Sequence, residues 1–233
     1  MIPITVVDNF YHDPFAIREY ATSLDYNRED ESPWPGFRSD YLDVISPKLY
    51  DQLKSKLTNL FFENVKDVEF DLQASFHVTP ASFVSGWAHT DIGKSFAGVV
   101  YLTPNAPLDS GTTIFNNPTL EIKRSIDARY DEVNTYEKHI TSAKHMSFKI
   151  AESGIGNSKP YDIIREEHNS VFTESCKVSN VFNRLAIYPA NLYHAESKFF
   201  GNSPNDSRLT LVFFGIIKTS RLFPLDRLWS VPQ

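Results

Sequence analysis

Three side chains in this sequence could share one metal ion. His89 and Asp91 stand two residues apart in Trp87-Ala88-His89-Thr90-Asp91, and His194 lies far downstream in Tyr188-Pro189-Ala190-Asn191-Leu192-Tyr193-His194. Two imidazoles and one carboxylate are the facial ligand set of non-haem iron(II) centres. On a strand, positions i and i+2 face the same way, so His89 and Asp91 can point together into a cavity. A third ligand from a distant strand caps one face of an octahedral ion and leaves three positions open. Open positions are what an ion needs to bind a co-substrate and oxygen.

The His-x-Asp pair alone is a weak signal, because a chain of 233 residues often holds one by chance. Without context, Asp91 reads equally as a turn cap before Gly93, and His194 as a sheet-edge residue beside Tyr193. The neighbouring runs favour the ligand reading. His89 follows Ser82–Trp87, which has strand character, and His194 follows the apolar run Leu185–Pro189. A third strand-like run, Ser207–Gly215, opens with Arg208.

Five parts therefore occur in order: His89-Thr90-Asp91, Gly98-Val99-Val100-Tyr101-Leu102, Gly111-Thr112-Thr113-Ile114-Phe115, His194 and Arg208-Leu209-Thr210. In this order they resemble the 2-oxoglutarate- and iron(II)-dependent dioxygenases, especially the prolyl-hydroxylase-like branch. The resemblance covers roughly residues 70 to 217, interrupted by a long insertion. Ser110 stands where a second Gly is usual, and a turn-rich loop, Gly201–Asp206, lengthens the gap between His194 and Arg208.

The resemblance implies that His89, Asp91 and His194 hold Fe(II), with 2-oxoglutarate and O2 as co-substrates. It implies that Arg208 pairs with the distal carboxylate of 2-oxoglutarate, which a planar guanidinium fork matches in two parallel bonds. Thr210, two residues on, faces the same side, and Tyr101 matches the position whose phenol helps hold the co-substrate. The implied reaction is hydroxylation of a small-molecule or peptidyl substrate, with release of succinate and carbon dioxide. Asp91 favours hydroxylation, because related halogenases replace this carboxylate with a small residue.

Plainer readings stand beside these: Tyr101 as a core aromatic, Arg208 as a surface ion pair with Asp206, and Arg184 as the other arginine near the core strands. His77 reaches the pocket only if its register beats that of Phe76, and Asn183 and Asn191 flank the return strand. His139, His145 and His168 read as surface residues, and His12 as part of an N-terminal turn. Two other function classes stay open: a jelly-roll binding or structural protein without catalysis, and a cupin-type metalloenzyme that does not use 2-oxoglutarate. Arg208 speaks against the second.

Composition suits one globular domain spanning residues 1–233, with 41% hydrophobic, 22% charged and 14% aromatic residues. A net charge of −6 argues against a dedicated nucleic-acid binder, since phosphate contacts need a basic face. Lys138, His139, Lys144, His145 and Lys149 form a local basic cluster that reads as a solvated helix face. The single cysteine, Cys176, permits no intrachain disulfide and suits a reducing compartment. Met1–Asp8 lacks a basic, apolar leader and reads as a strand, and no run is long enough to span a membrane, so the expected location is cytoplasmic.

The expected fold is mainly β with flanking helices: a double-stranded β-helix, or jelly roll, of the cupin-like kind. Asp13-Pro14 begins one helix, with Ile17, Tyr20, Ala21 and Leu24 on its inner face. Ser46-Pro47 begins a second, with Leu49, Leu53, Leu57 and Leu60 on the buried stripe. Strands are expected at 69–79, 82–91, 95–103, 111–115, 182–189, 192–197 and 208–218. Residues 116–180 read as an insertion, with a helix-like stretch at 121–150, that forms a lid or substrate subdomain or only an outer decoration.

Overall fold

Along the last apolar run of the chain, Leu209, Leu211 and Phe213 are buried in one layer, while Arg208, Val212 and Phe214 line a cavity on the opposite side. That period of two is what a strand covered on both faces produces. The structure is a computed structural model that describes residues 4–27, 34–61, 68–83, 86–116, 165–166, 168–203 and 205–220. In chain order the described elements are β1 (Thr5–Val7), α1 (Pro14–Thr22), β2 (Phe37–Arg38), α2 (Leu42–Ile45), α3 (Pro47–Phe61), β3 (Val68–Thr79), β4 (Phe96–Tyr101), β5 (Thr112–Phe115), β6 (Glu174–Val178), β7 (Leu185–Pro189), β8 (His194–Glu196) and β9 (Arg208–Ser220).

The strands form two antiparallel sheets. The larger has the order β1-β7-β4-β9-β3-β2 and the smaller the order β6-β5-β8. A single bridge between His89 and His194 adds the 86–91 segment to the edge of the small sheet. From β3 onward the chain visits large, small, large, small, small, large, small and large sheet in turn. That winding is the double-stranded β-helix, as expected.

β3 and β9 pair over their whole length, from Val68↔Ser220 to Thr79↔Arg208, and form the spine of the large sheet. β4 joins the other side of β9. There Gly98 lies opposite Phe213 and Gly215 opposite Phe96, and each phenyl ring fills the space that a glycine Cβ would take.

The helices cover the outer face of the large sheet. Ile17, Ala21, Leu42, Leu49, Leu53 and Leu57 pack with Leu72, Ala74, Phe76, Leu209, Leu211 and Phe213 in one cluster. Asp13 caps α1 by accepting from Ala16 N at 3.0 Å, and Pro14 occupies the first turn. Leu60 departs from the expected stripe: it is 41% exposed.

Two larger expectations change. Among the described residues of the expected 82–91 strand there is no regular strand: Ala81–Phe83 form a 3-10 turn, and within 86–91 only His89 makes a β-bridge. The interruption at 116–180 is shorter than it reads, because β6 pairs with β5 from Thr112↔Val178 to Phe115↔Glu174 and belongs to the small sheet. The helix-like stretch at 121–150, with His139 and His145, lies outside the described residues. Among the described residues, no helix is long and apolar enough to cross a membrane.

Candidate functional site

The backbone brings the three ligand candidates together. His89 N donates to His194 O at 3.0 Å and His194 N to His89 O at 2.9 Å, while Asp91 N donates to Ala190 O at 2.8 Å. Their side chains converge: His89 Nε2 lies 3.5 Å from Asp91 Oδ1, and His194 Nε2 lies 3.4 Å from Asp91 Oδ2. One ligand atom from each residue falls within 4.8 Å of the others, a cluster that could hold a metal ion.

The tautomers follow from the hydrogen bonds. His89 Nδ1 donates to Trp87 O at 2.7 Å and His194 Nδ1 donates to Leu192 O at 2.9 Å. A carbonyl can only accept, so both Nδ1 atoms carry hydrogen and both Nε2 atoms face Asp91. Such an outer hydrogen bond fixes the ring of a metal-bound histidine. Asp91 Oδ2 is buried and accepts no hydrogen bond, as expected of an oxygen awaiting a cation.

Electrostatics agrees. Burial works against ionisation of Asp91, but the charges of His194 and His89 and a hydrogen bond from His89 hold its carboxyl below the usual range. Burial, aided by the His89 charge, pushes His194 down. Burial also opposes protonation of His89, and there the hydrogen bond and charge of Asp91 outweigh it and raise the imidazole.

The triad opens onto a cavity of 680 Å³ between the two sheets. Arg208, 2% exposed, lines the same cavity. Its Nε donates to Ser110 O at 3.1 Å, and its guanidinium stands over the Tyr101 ring at 5.6 Å. Among the described residues it makes no ion pair, so both Nη groups remain for a ligand. Asp206 is not its partner: that carboxylate accepts from Asn202 N, Ser203 N and Ser203 Oγ. Arg184 is not a substitute either, because Asp8 takes its Nε at 2.6 Å and its Nη2 at 2.9 Å.

Thr210 and Tyr101 stand behind the cavity wall. They are opposite each other on β9 and β4. Thr210 Oγ1 is buried with no hydrogen-bond partner, whereas the Tyr101 hydroxyl shares a 2.7 Å hydrogen bond with Thr112 Oγ1, and Thr112 lines the cavity. His77 does reach the cavity, and Phe76 turns to the helix-side core. Burial, then the charges of Arg38 and Arg208, hold His77 well below the usual histidine range. Asn183 instead braces the N-terminal segment, accepting from Tyr11 N and donating to Tyr11 O, both at 2.8 Å.

Three residues of the site were not legible. His168, expected on the surface, is 1% exposed and bonds through Nε2 to Ala88 O at 2.8 Å. Asn169 accepts from Ala88 N at 2.8 Å and donates to Gly86 O at 2.9 Å. Glu196, two residues after His194, lines the cavity, and its place in the alternation of β8 was the one available signal.

Among solved structures, the chain is similar to HygX from Streptomyces hygroscopicus with nickel and 2-oxoglutarate bound, at 13% identity over 97% of this chain and 87% of that one, with a TM-score of 0.54. The same protein with nickel, 2-oxoglutarate and hygromycin B bound gives 14% identity over 97% and 87%, with a TM-score of 0.53. SnoN, a non-haem alpha-ketoglutarate-dependent epimerase from nogalamycin biosynthesis, matches at 9% identity over 92% of this chain and 78% of that one, with a TM-score of 0.52. At these identities the likeness is one of fold, and the fold is the jelly roll of 2-oxoglutarate oxygenases. No curated protein matches the sequence. A family model described as a family of unknown function, DUF6445, matches residues 1–215, and the chain belongs to that family.

Proposed function

We propose that this protein is an Fe(II)- and 2-oxoglutarate-dependent oxygenase that hydroxylates a small-molecule or peptidyl substrate. The observation that carries the reading is a pairing within one cavity: a His89–Asp91–His194 cluster with both Nε2 atoms turned inward, and a buried Arg208 with no carboxylate partner. The donor set fits iron(II), and the orphaned Asp91 Oδ2 and the fixed tautomers fit a divalent cation.

In this reading His89, Asp91 and His194 hold the metal, and Asp91 offsets part of its charge. Arg208 holds the distal carboxylate of 2-oxoglutarate, and Thr210, two residues on along β9, backs the same end of the cavity with a buried hydroxyl that has no partner among the described residues. Tyr101 acts through Thr112, whose hydroxyl it orients toward the cavity. An iron(II) held there would supply oxygen activation, coupled to oxidative decarboxylation of 2-oxoglutarate to succinate and carbon dioxide. The chain's own task is to fix the three reactants and exclude bulk water. A cavity of 680 Å³ lies within the range of small-molecule sites.

The test is succinate release by the iron-loaded protein across metabolite and peptide libraries, with product mass recorded. The expected product carries one added oxygen atom. The fold also hosts an epimerase, SnoN, so a product of unchanged mass would correct the hydroxylase assignment. Failure of the wild-type protein to bind 2-oxoglutarate in the presence of iron(II) would sink the reading.

A further inference from the structure

A carboxylate stands in this cavity without a partner. On β8 the side chains alternate: His194 points inward, Ala195 packs in the apolar cluster behind the small sheet, and Glu196 points inward again. Two residues along a strand place Glu196 about 7 Å from His194. Across β5 it lies opposite Thr112, on the side of the cavity shared with Arg208. Among the described residues its carboxylate makes no ion pair and accepts no hydrogen bond from another residue. The fold nevertheless makes room for it: Glu196 Oε2 and the Glu196 backbone N both lie where a Cβ at residue 86 would fall, so Gly86 lets β8 and its carboxylate approach this closely.

We propose that Glu196 recognises a cationic nitrogen of the substrate, an amine or a guanidine. This deepens the oxygenase reading and rests on it. The chain's own charges acting on Glu196 come from Arg208, His89 and His194. In the oxygenase those groups have other work, because Arg208 faces the co-substrate carboxylate and the imidazoles face the metal. Iron(II) and dianionic 2-oxoglutarate cancel in charge, and so do Arg208 and Asp91. Among the described residues that line the cavity, Glu196 is then the one carboxylate that neither the metal nor the co-substrate engages, and an enclosed carboxylate is costly unless a cation joins it.

The other cations on the wall, Lys94 and Arg38, stand toward β3: Lys94 donates to Gln73 Oε1 at 3.1 Å, and Arg38 on β2 lies in register with His77 on β3. Trp34 and Tyr188 add aromatic surface to the same cavity, and a cation is attracted to aromatic faces. A substrate nitrogen held by Glu196 would bring the adjoining carbons to the open side of the triad.

The test uses the full chain loaded anaerobically with iron(II) and 2-oxoglutarate. It is titrated calorimetrically with primary amines and guanidines, from ethanolamine and spermidine to L-lysine and agmatine, each paired with its neutral N-acetyl derivative. The expected result is binding by cationic members, and a loss of at least tenfold in affinity on acetylation. Glu196→Gln should weaken the cationic members at least tenfold while leaving iron(II) and 2-oxoglutarate affinity within about twofold. Gly86→Ala, which keeps the carboxylate but takes its space, should weaken them too, with circular dichroism confirming the fold of both variants.

The proposal is overturned where no amine binds, where acetylated members bind as well as cationic ones, or where Glu196→Gln leaves amine affinity unchanged. A Glu196→Gln protein whose main change is much tighter 2-oxoglutarate binding makes Glu196 a brake on the co-substrate, and also overturns it. Loss of iron(II) or 2-oxoglutarate binding in the wild-type protein is a separate result. It sinks the oxygenase reading, and this inference with it.

Discussion

Asn169 holds Ala88 from outside the small sheet: its Oδ1 accepts the Ala88 N–H at 2.8 Å, one residue before the ligand candidate His89. His168 takes the carbonyl of the same residue, so both backbone groups of Ala88 are fixed by side chains that follow the long interruption of the chain. The 86–91 segment needs this support because it has only one β-bridge of its own. Asn169→Ala leaves a buried N–H unpaired, at a cost of about 1–3 kcal/mol. We expect a lower melting temperature and iron(II) affinity reduced by tenfold or more, although no ligand is changed. Unaltered affinity in a calorimetric titration would show that the segment holds its shape alone.

His194→Ala should abolish iron(II) binding with little loss of fold. The bonds between His89 and His194 are backbone bonds, so the bridge survives removal of the imidazole. Two remaining ligands are too few to hold iron(II). Equilibrium dialysis is expected to show at least a hundredfold weaker binding. Full metal retention would overturn the ligand assignment.

Arg208→Ala should weaken 2-oxoglutarate by about 2–5 kcal/mol, roughly thirtyfold or more, while iron(II) still binds. Arg184→Ala should leave co-substrate affinity unchanged, because Arg184 is spent on Asp8 at the edge of the fold. The pair of titrations distinguishes the two arginines, and equal effects would contradict the cavity geometry.

The pH dependence of stability carries a signature of His77. Its folded imidazole is held well below the usual value by burial and by the charges of Arg38 and Arg208. The unfolded chain therefore takes up a proton first as pH falls below about 6.5, and the folded state loses stability from there downward. His77→Gln removes that titration but keeps a group that can bond to Ser75. Its melting temperature should fall less than that of the wild type between about pH 7.5 and pH 5. Parallel melting curves would place the His77 titration elsewhere.

Replacing residues 117–164 with a short Gly/Ser linker should preserve iron(II) and 2-oxoglutarate binding. Extending the replacement to residue 180 removes β6 and the Asn169 contact, and should abolish both. Circular dichroism and metal titration on the two variants decide the point.

Much of this site could be read from residue types and spacing. His89, Asp91, His194 and Arg208 gather around one cavity because strand alternation is a local rule, and each sits on or beside a run with clear apolar character. β6 was hidden for the opposite reason. Glu174-Ser175-Cys176-Lys177-Val178 is an edge strand with three exposed side chains, so it carries no apolar run to announce it. His168 and Asn169 were illegible because their roles depend on Ala88, some eighty residues away in sequence and adjacent only once the sheets close. Glu196, followed by Ser197 and Lys198, reads as a solvated strand end, and only the cavity reveals it as an inward-facing carboxylate.

The position of β9 has a consequence for how the protein is made. β9 lies between β4 and β3 in the middle of the large sheet, yet it is the last described strand to leave the ribosome. Until Arg208–Ser220 has been synthesised, β3 and β4 have no strand between them, and each presents an unpaired edge. Every ligand candidate of the triad is already present at that stage, but one wall of their cavity is missing. Iron capture should therefore wait until β9 has been made. Nascent chains arrested before Arg208 should stick to chaperones and to one another, not to metal.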